Sequence, residues 1–288
     1  MGAFTTLIAG RFGIVDNMRR LDLRKIRRKR WLLDRSTKIF RVEEAREFIE
    51  RLGLVSALTN EQLPSLAKAI YTEDLRSRFE ADQRLWDFVH ILITKKWAYY
   101  GRILGDHNTL LSIKLLPYYI RLYPTPDYNL LFQQKLLTNM AKAIMDLLHC
   151  KGPLMTHQIR NELGIFSSPG KRRLTRSLIE LQRKSLICCS GKVAQEKCSW
   201  RFGLWASTEK WLPPKIKLKA RMLSDEEAKR KLVEKYVYTT TRTTAKAIAR
   251  FFSWPAVEVE RIVCSMIDRE LVSSYNHQGE EYLFKGNL

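Results

Sequence analysis

Apolar positions in the second half of the chain recur as a set. Residues 143–189 and 231–274 each read as helix, extended step, helix, turn, longer helix and apolar strand. In the first copy the pieces are 143–149, the step 152–155, then 156–163, 172–184 and the strand 186–189. In the second they are 231–237, the step 241–243, then 244–252, 257–270 and the strand 271–274. A strand-turn-strand follows each copy, and the copies differ chiefly in the turn before the third helix. Helical spacing of apolar residues, switching to strand-forming residues at the end, carries the assignment. Three short helices and a hairpin are the parts of a winged-helix module, whose third helix commonly enters a DNA major groove. The pattern therefore predicts a mainly α fold with short β-hairpins (wings), arranged as tandem winged-helix modules.

The amino-terminal half carries a more divergent version. Val42, Ala45, Phe48, Ile49 and Leu52 share one helical face over 42–52, and Gly53 supplies a stop. Residues 63–71 open with Leu-Pro-Ser-Leu and read as a second short helix. A polar stretch, 72–82, leads to 84–93, where Leu85, Phe88, Val89 and Leu92 again line up. Strand-like segments 97–104 and 109–112 flank Gly105-Asp106-His107-Asn108, the signature of a hairpin. Ser112 is then expected to cap a helix over 113–123, with Pro117 near its start. Pro124-Thr125-Pro126-Asp127 and Pro213-Pro214 are the plainest breaks. The expected organisation is a basic, disordered arm at 1–35 and a divergent winged-helix-like domain at 36–124. A winged-helix domain with a basic third helix follows at 128–212, and a carboxy-terminal one at 222–288.

Charge narrows the class of partner. The 288 residues hold 51 Lys+Arg against 30 Asp+Glu, a formal charge of +21. Such a potential attracts polyanions and speeds their encounter without specifying a fold. No apolar run approaches the roughly 20 residues of a membrane helix, since Lys114 and Arg121 interrupt the best stretch, 110–122. A soluble protein is expected, with no membrane partner. Cys150, Cys188, Cys189, Cys198 and Cys264 are odd in number and lack C-x-x-C spacing, so reduced thiols and no metal site are expected. Cofactors are expected to be none. The run 24–30, Arg-Lys-Ile-Arg-Arg-Lys-Arg, is too charged to bury and reads as an exposed phosphate-contacting arm. Two other readings stay open for it: translation starting at Met18, and an Arg-rich organelle presequence, against which Asp16 and Asp22 count.

The candidate DNA-binding residues follow from where cations sit on the predicted elements. On the third helix of the first full module, Lys171, Arg172, Arg173, Arg176 and Arg183 surround the inward set Leu174, Leu178 and Leu181. Arginine can fork onto guanine edges or phosphate oxygens, and Gly170 is expected to let backbone N–H groups approach a phosphate. Ser190-Gly191-Lys192 is read as the turn into the wing, from which Lys192, Lys197 and Arg201 reach the backbone or minor groove. Trp200, Phe202 and Leu204 alternate and read as core. The second full module places Glu258 and Glu260 at the start of its third helix, where they repel phosphate. Lys246 and Arg250 on its second helix are its contact candidates, and this module is expected to buttress the array.

Four segments taken in order resemble a known family. They are Leu63-Pro64-Ser65-Leu66, residues 96–102, Ser112 through Leu115-Leu116-Pro117-Tyr118, and residues 231–254. Together they resemble the AlkZ-like winged-helix DNA glycosylases over about residues 41–283. The resemblance implies three tandem winged helices forming a concave, positively charged DNA-binding surface, with base excision in some members. Catalytic members carry two glutamines, or a glutamine and an aspartate, one residue apart just after the first helix. The matching position here is Val55-Ser56-Ala57-Leu58, where only a hydroxyl is polar. Glu61 and Gln62, on the same predicted loop, are the candidate catalytic residues, as general base and orienting amide; alternatively they merely open the helix that follows.

Three functions compete on this reading. The first is a protein that binds double-stranded or damaged DNA through its backbone and shape, as a monomer, in the cytoplasm and associated with the nucleoid. The second is an active DNA glycosylase with a non-standard water-activating residue. A winged-helix transcription regulator is the third.

Overall fold

The computed structural model describes residues 19–34, 38–71, 78–104, 107–192, 203–277 and 279–285. Helix α1 (Arg19–Arg30) precedes a first unit of α2 (Val42–Leu52), β1 (Leu54–Ser56), α3 (Leu66–Ile70), α4 (Arg78–Thr94), β2 (Ala98–Leu104) and β3 (His107–Ser112). Its sheet has the order β1-β3-β2, with β3 antiparallel to both neighbours. Helices α5 (Leu116–Leu122) and α6 (Tyr128–Gln133) connect to a second unit with the same sequence of elements. That unit comprises α7 (Asn139–Lys151), β4 (Leu154–Met155), α8 (Thr156–Glu162), α9 (Ser168–Arg183), β5 (Ile187–Lys192) and β6 (Gly203–Ser207), in sheet order β4-β6-β5. After α10 (Thr208–Trp211) and α11 (Pro214–Met222), the third unit runs through α12 (Asp225–Thr240), α13 (Ala245–Phe252), α14 (Ala256–Asp268), β7 (Ser273–His277) and β8 (Glu280–Phe284). Thr243 pairs with Leu283 of β8, so here too the segment after the first helix lies beside the last strand. The protein is mainly helical, with small antiparallel sheets.

Amphipathic spacing explains why the helices sit where they do. Ala45, Phe48, Ile49 and Leu52 bury one face of α2, and Leu174, Leu178 and Leu181 one face of α9. The buried faces of all three units join one continuous apolar core. Tyr99, Tyr100 and Tyr119 are the largest fully buried side chains. The Tyr119 hydroxyl meets Ser185 Oγ at 2.9 Å, and the Tyr99 ring stands edge-on to Trp211 at 5.4 Å, tying the first unit and α5 to the second. Gln182, 5% exposed, accepts from the Arg102 N–H at 3.2 Å and donates to Leu178 O, fastening α9 to β2.

Four expectations need correction. The basic arm is not a free segment over its described part: Arg24, Lys25, Arg28 and Lys29 stay exposed, but the other face of α1 docks on the carboxy-terminal end of α12. Arg27 and the Trp31 indole donate to Thr240 O (2.8 Å) and Thr239 O (2.7 Å), and Arg30 donates to Tyr238 O. The Thr239 and Thr240 carbonyls lie past the last intrahelical donors, Tyr238 O otherwise accepts only the Thr241 N–H at 3.3 Å, and cations there also favour the negative end of the helix dipole. Trp31 is 6% exposed, which the charge run conceals. Ser112 does not cap α5, which starts at Leu116; its hydroxyl accepts from Lys114 N–H in the turn before. Gly170 lies inside the first turn of α9, where its N–H is taken by Ser167 Oγ and an added Cβ would come within 2.9 Å of Ile165. It is there for packing. Ser190-Gly191-Lys192 is not a turn, because β5 continues through a bulge that brings Gly191 (φ 134) against Thr94.

Candidate functional site

Where the three units meet, the surface opens into a cavity of about 830 Å³. Each wall comes from a different element. Glu61 and Gln62 project from the loop between β1 and α3. That loop is pinched at its base by Ser56 beside Ser65 and shaped at its tip by Asn60, whose Oδ1 accepts from the Gln62 and Leu63 N–H groups. Arg102 and His107 come from the β2–β3 hairpin, and Arg183 from the last turn of α9, held there by the Gln182 bond to β2. Arg27 is supplied by α1. The third unit contributes Arg242, Thr243 and Thr244 before α13, then Ala247 and Arg250 on it. Thr244 caps α13 by accepting from Ala247 N–H, so the positive end of that helix also faces the cavity.

Chemically the cavity has a cationic rim and an aromatic floor. Its described lining includes five arginines, Arg27, Arg102, Arg183, Arg242 and Arg250, against one carboxylate, Glu61. A concave surface with one sign of charge concentrates anions. Tyr236, Phe251 and Phe252 form the floor, with ring centroids 4.4 Å apart for Tyr236–Phe251 and 5.1 Å for Phe251–Phe252. Tyr123 and Tyr282 add two more rings, and the Arg242 guanidinium lies over Tyr282 at 4.7 Å. Burial pushes the Tyr236 and Tyr123 hydroxyls up to about 12, so both are neutral donors at ordinary pH. Anionic oxygens at the rim and flat rings at the floor are what a nucleotide strand presents.

Most candidate residues fall around this cavity, and some do not. Arg183 and Arg250 line it, as do Glu61 and Gln62. Lys171, Arg172, Arg173, Arg176 and Lys246 are exposed but lie outside it. Arg172 and Arg183 are about three helical turns apart, so with Arg176 they form one exposed stripe, roughly 16 Å long, opposite the buried leucines and ending at the cavity. Lys192 lies at the end of β5, paired with Gly203. Lys197, Arg201, Trp200 and Phe202 lie outside the described residues. Glu258 of α14 pairs with Lys229 and does not line the cavity. Arg27 belongs to the basic run read as a phosphate-contacting arm, whereas nothing local marks Arg102 and Arg242; only the meeting of the units puts the three together.

Val55, Ser56 and Ala57 are at most 3% exposed. They sit in and just after β1, and none lines the cavity. The position where a catalytic pair would stand thus offers no accessible polar side chain.

These features define a class: a mainly helical protein with small antiparallel sheets, closed around an arginine-lined cavity large enough for a nucleotide. The chain belongs to the AlkZ-related family, whose model matches residues 39–253. Among solved structures, the DNA glycosylase AlkZ of Streptomyces sahachiroi superposes with a TM-score of 0.54 at 12% identity, covering 91% of this chain and 68% of that one. At that identity the likeness is one of fold. Comparison with curated proteins gives no match. Among the described residues no helix is long and apolar enough to cross a membrane, and no group of His, Cys, Asp and Glu is placed to hold a metal ion.

Proposed function

We propose that this protein binds double-stranded DNA, intact or damaged, as a monomer, through three tandem winged-helix modules whose basic sides meet at the cavity. The repeated order of elements and the common sheet order support the modular reading. The single observation that carries the function is the collection of five arginines from five separate segments around an aromatic floor, with one carboxylate among them. Backbone phosphates meet the arginines, and the α9 stripe extends the contact along the duplex. A cytoplasmic, nucleoid-associated location and a part in DNA repair go with this role. Neutralising about six to eight phosphates gives a log–log salt slope of roughly −5 to −7. Fluorescence anisotropy of a labelled duplex over a salt series measures it, and a flat slope rejects DNA as the ligand.

A second reading is favoured by one observation: Glu61 and Gln62 share the cavity with the arginines. In an active glycosylase, Glu61 takes a proton from a water oriented by Gln62. The water oxygen bonds to C1′ as the C1′–N bond breaks, and that bonding pair leaves with the base, which is then protonated. Base release from alkylated or crosslinked duplexes that is lost in Glu61→Gln supports this reading. Absence of release across such a panel, with duplex binding intact, leaves the binding function alone.

A further inference from the structure

Beside the main cavity lies a smaller pocket of about 410 Å³, between α1 and the junction of α12 with α13. Arg24, Arg27, Thr241 and Arg242 line it, and Tyr282 closes one side. Among its described lining residues none is a carboxylate, and no described carboxylate pairs with Arg24, Arg27 or Arg242. Arg27 is anchored to Thr240 O and Arg242 lies across the Tyr282 ring, so both guanidinium planes are fixed. Burial, and after it the charge of Arg242, lowers the pKa of Arg27. Like charges are therefore held together here without a neutralising partner.

Thr241 is the second, independent observation. It is 2% exposed, its Oγ1 is buried without a hydrogen-bond partner among the described residues, and its φ is 70°. A β-branched residue in left-handed backbone is strained, and a buried hydroxyl without a partner is unfavourable. Such features persist where the surrounding structure enforces them, commonly at ligand clamps.

We propose that this pocket is a phosphate subsite, in which Arg24, Arg27, Arg242 and the Thr241 hydroxyl hold one phosphodiester of a strand whose adjoining nucleotide occupies the larger cavity. The arginines donate to the non-bridging oxygens and the hydroxyl adds a neutral donor. This inference rests on the nucleic-acid reading of the larger cavity.

The test is a walk of single methylphosphonate linkages, which are uncharged, along one strand of a duplex. Each duplex is titrated against the full-length protein and its Arg24→Gln, Thr241→Val and Thr241→Gly variants, none of which alters a residue lining the larger cavity. One position, or two neighbours, should weaken wild-type binding roughly tenfold or more. At those positions Arg24→Gln should lose little further, and elsewhere it should bind more weakly with a salt slope shallower by about one. Thr241→Gly should bind more weakly yet melt at or above the wild-type temperature, because glycine accepts the positive φ. If Thr241→Gly gains stability with affinity unchanged, the hydroxyl is not in the site. If inorganic phosphate binds the pocket but no methylphosphonate position matters, the pocket serves a free anion and the strand subsite is overturned. Wild-type protein that binds no duplex defeats the reading of the larger cavity; binding with no position-specific effect defeats this subsite alone.

Discussion

Replacing Trp31 with alanine probes how α1 is held, and its consequence can be worked from the contacts. The indole is 6% exposed, its Nε1 donates to Thr239 O at 2.7 Å, and the Arg27 guanidinium lies 4.9 Å from its ring centroid. Truncating a buried tryptophan costs about 3–5 kcal/mol, and a buried carbonyl left without a donor about 1–3 kcal/mol more. The sum is an upper limit, since α1 can peel away and let water reach the α12 carbonyls. Undocking uncovers Arg27 and Arg30 and lets the helix unravel for cleavage at them and at the already exposed Arg24, Lys25, Arg28 and Lys29, all trypsin sites. If cleavage reports the open population, a loss of about 3–5 kcal/mol accelerates it by up to roughly two to nearly four orders of magnitude. Trp31→Phe keeps the ring but removes the donor, so a rise of roughly tenfold to a hundredfold is expected. Duplex affinity should fall alongside, because α1 carries Arg24 and Arg27 into the basic surface. Limited trypsinolysis followed by mass spectrometry reads the rates. Equal cleavage of wild type and Trp31→Ala within α1 would refute the docking argument.

Three further outcomes follow from buried groups. Tyr236 and Tyr123 are pushed up to about 12 by burial, so the neutral rings favour the fold below the ordinary tyrosine value of 10 and that contribution is lost as pH rises through about 12. The tyrosinate absorbance that wild type gives and a Tyr123→Phe/Tyr236→Phe variant lacks should therefore appear only together with loss of helical circular dichroism, and its reversible appearance near 10 with helix intact would contradict this. Gln182→Leu should destabilise by about 1–3 kcal/mol in urea unfolding, because it strands the Arg102 N–H at the α9–β2 junction; an unchanged midpoint would show that bond to be dispensable. Cys188 and Cys189 are buried, which raises both thiols, to about 11 for Cys189, so a thiol reagent should label Cys150 and Cys264 in the native protein and reach the buried pair only after denaturation.

Local physics was legible in the sequence, and convergence was not. Helix α2 follows its apolar stripe from Val42 to the Gly53 stop, and β2 pairs with β3 where aromatic and branched residues predict strands, while Gly105 and Asp106 of the expected turn lie outside the described residues. Pro214 opens α11, as proline in a first turn can, so Pro213-Pro214 marks a break without excluding a helix. Helix α4 begins at Arg78, earlier than its apolar face suggests, because its first turn carries no such stripe. The docking of α1 was hidden because its partners are backbone carbonyls more than two hundred residues away. The same holds for the cavity. Arg183 and Arg250 stood out on their helices and Arg27 in its basic run, whereas Arg102 and Arg242 gain meaning only when the units close together. Glu61 and Gln62 were legible as a polar pair on a loop, while their place on the cavity depends on the Ser56–Ser65 pinch and the Asn60 turn.

The most direct test of the cavity as the DNA-binding surface removes equal charge from two places. One variant carries Arg102→Gln, Arg183→Gln and Arg250→Gln. The other carries Lys215→Gln, Lys217→Gln and Arg221→Gln on α11, none of which lines the cavity. Both lose three positive charges, and duplex binding is measured over a salt series. The cavity variant should bind far more weakly with a slope shallower by about 2.7, while the α11 variant stays close to wild type. Equal losses in the two, or a greater loss on α11, would contradict the account.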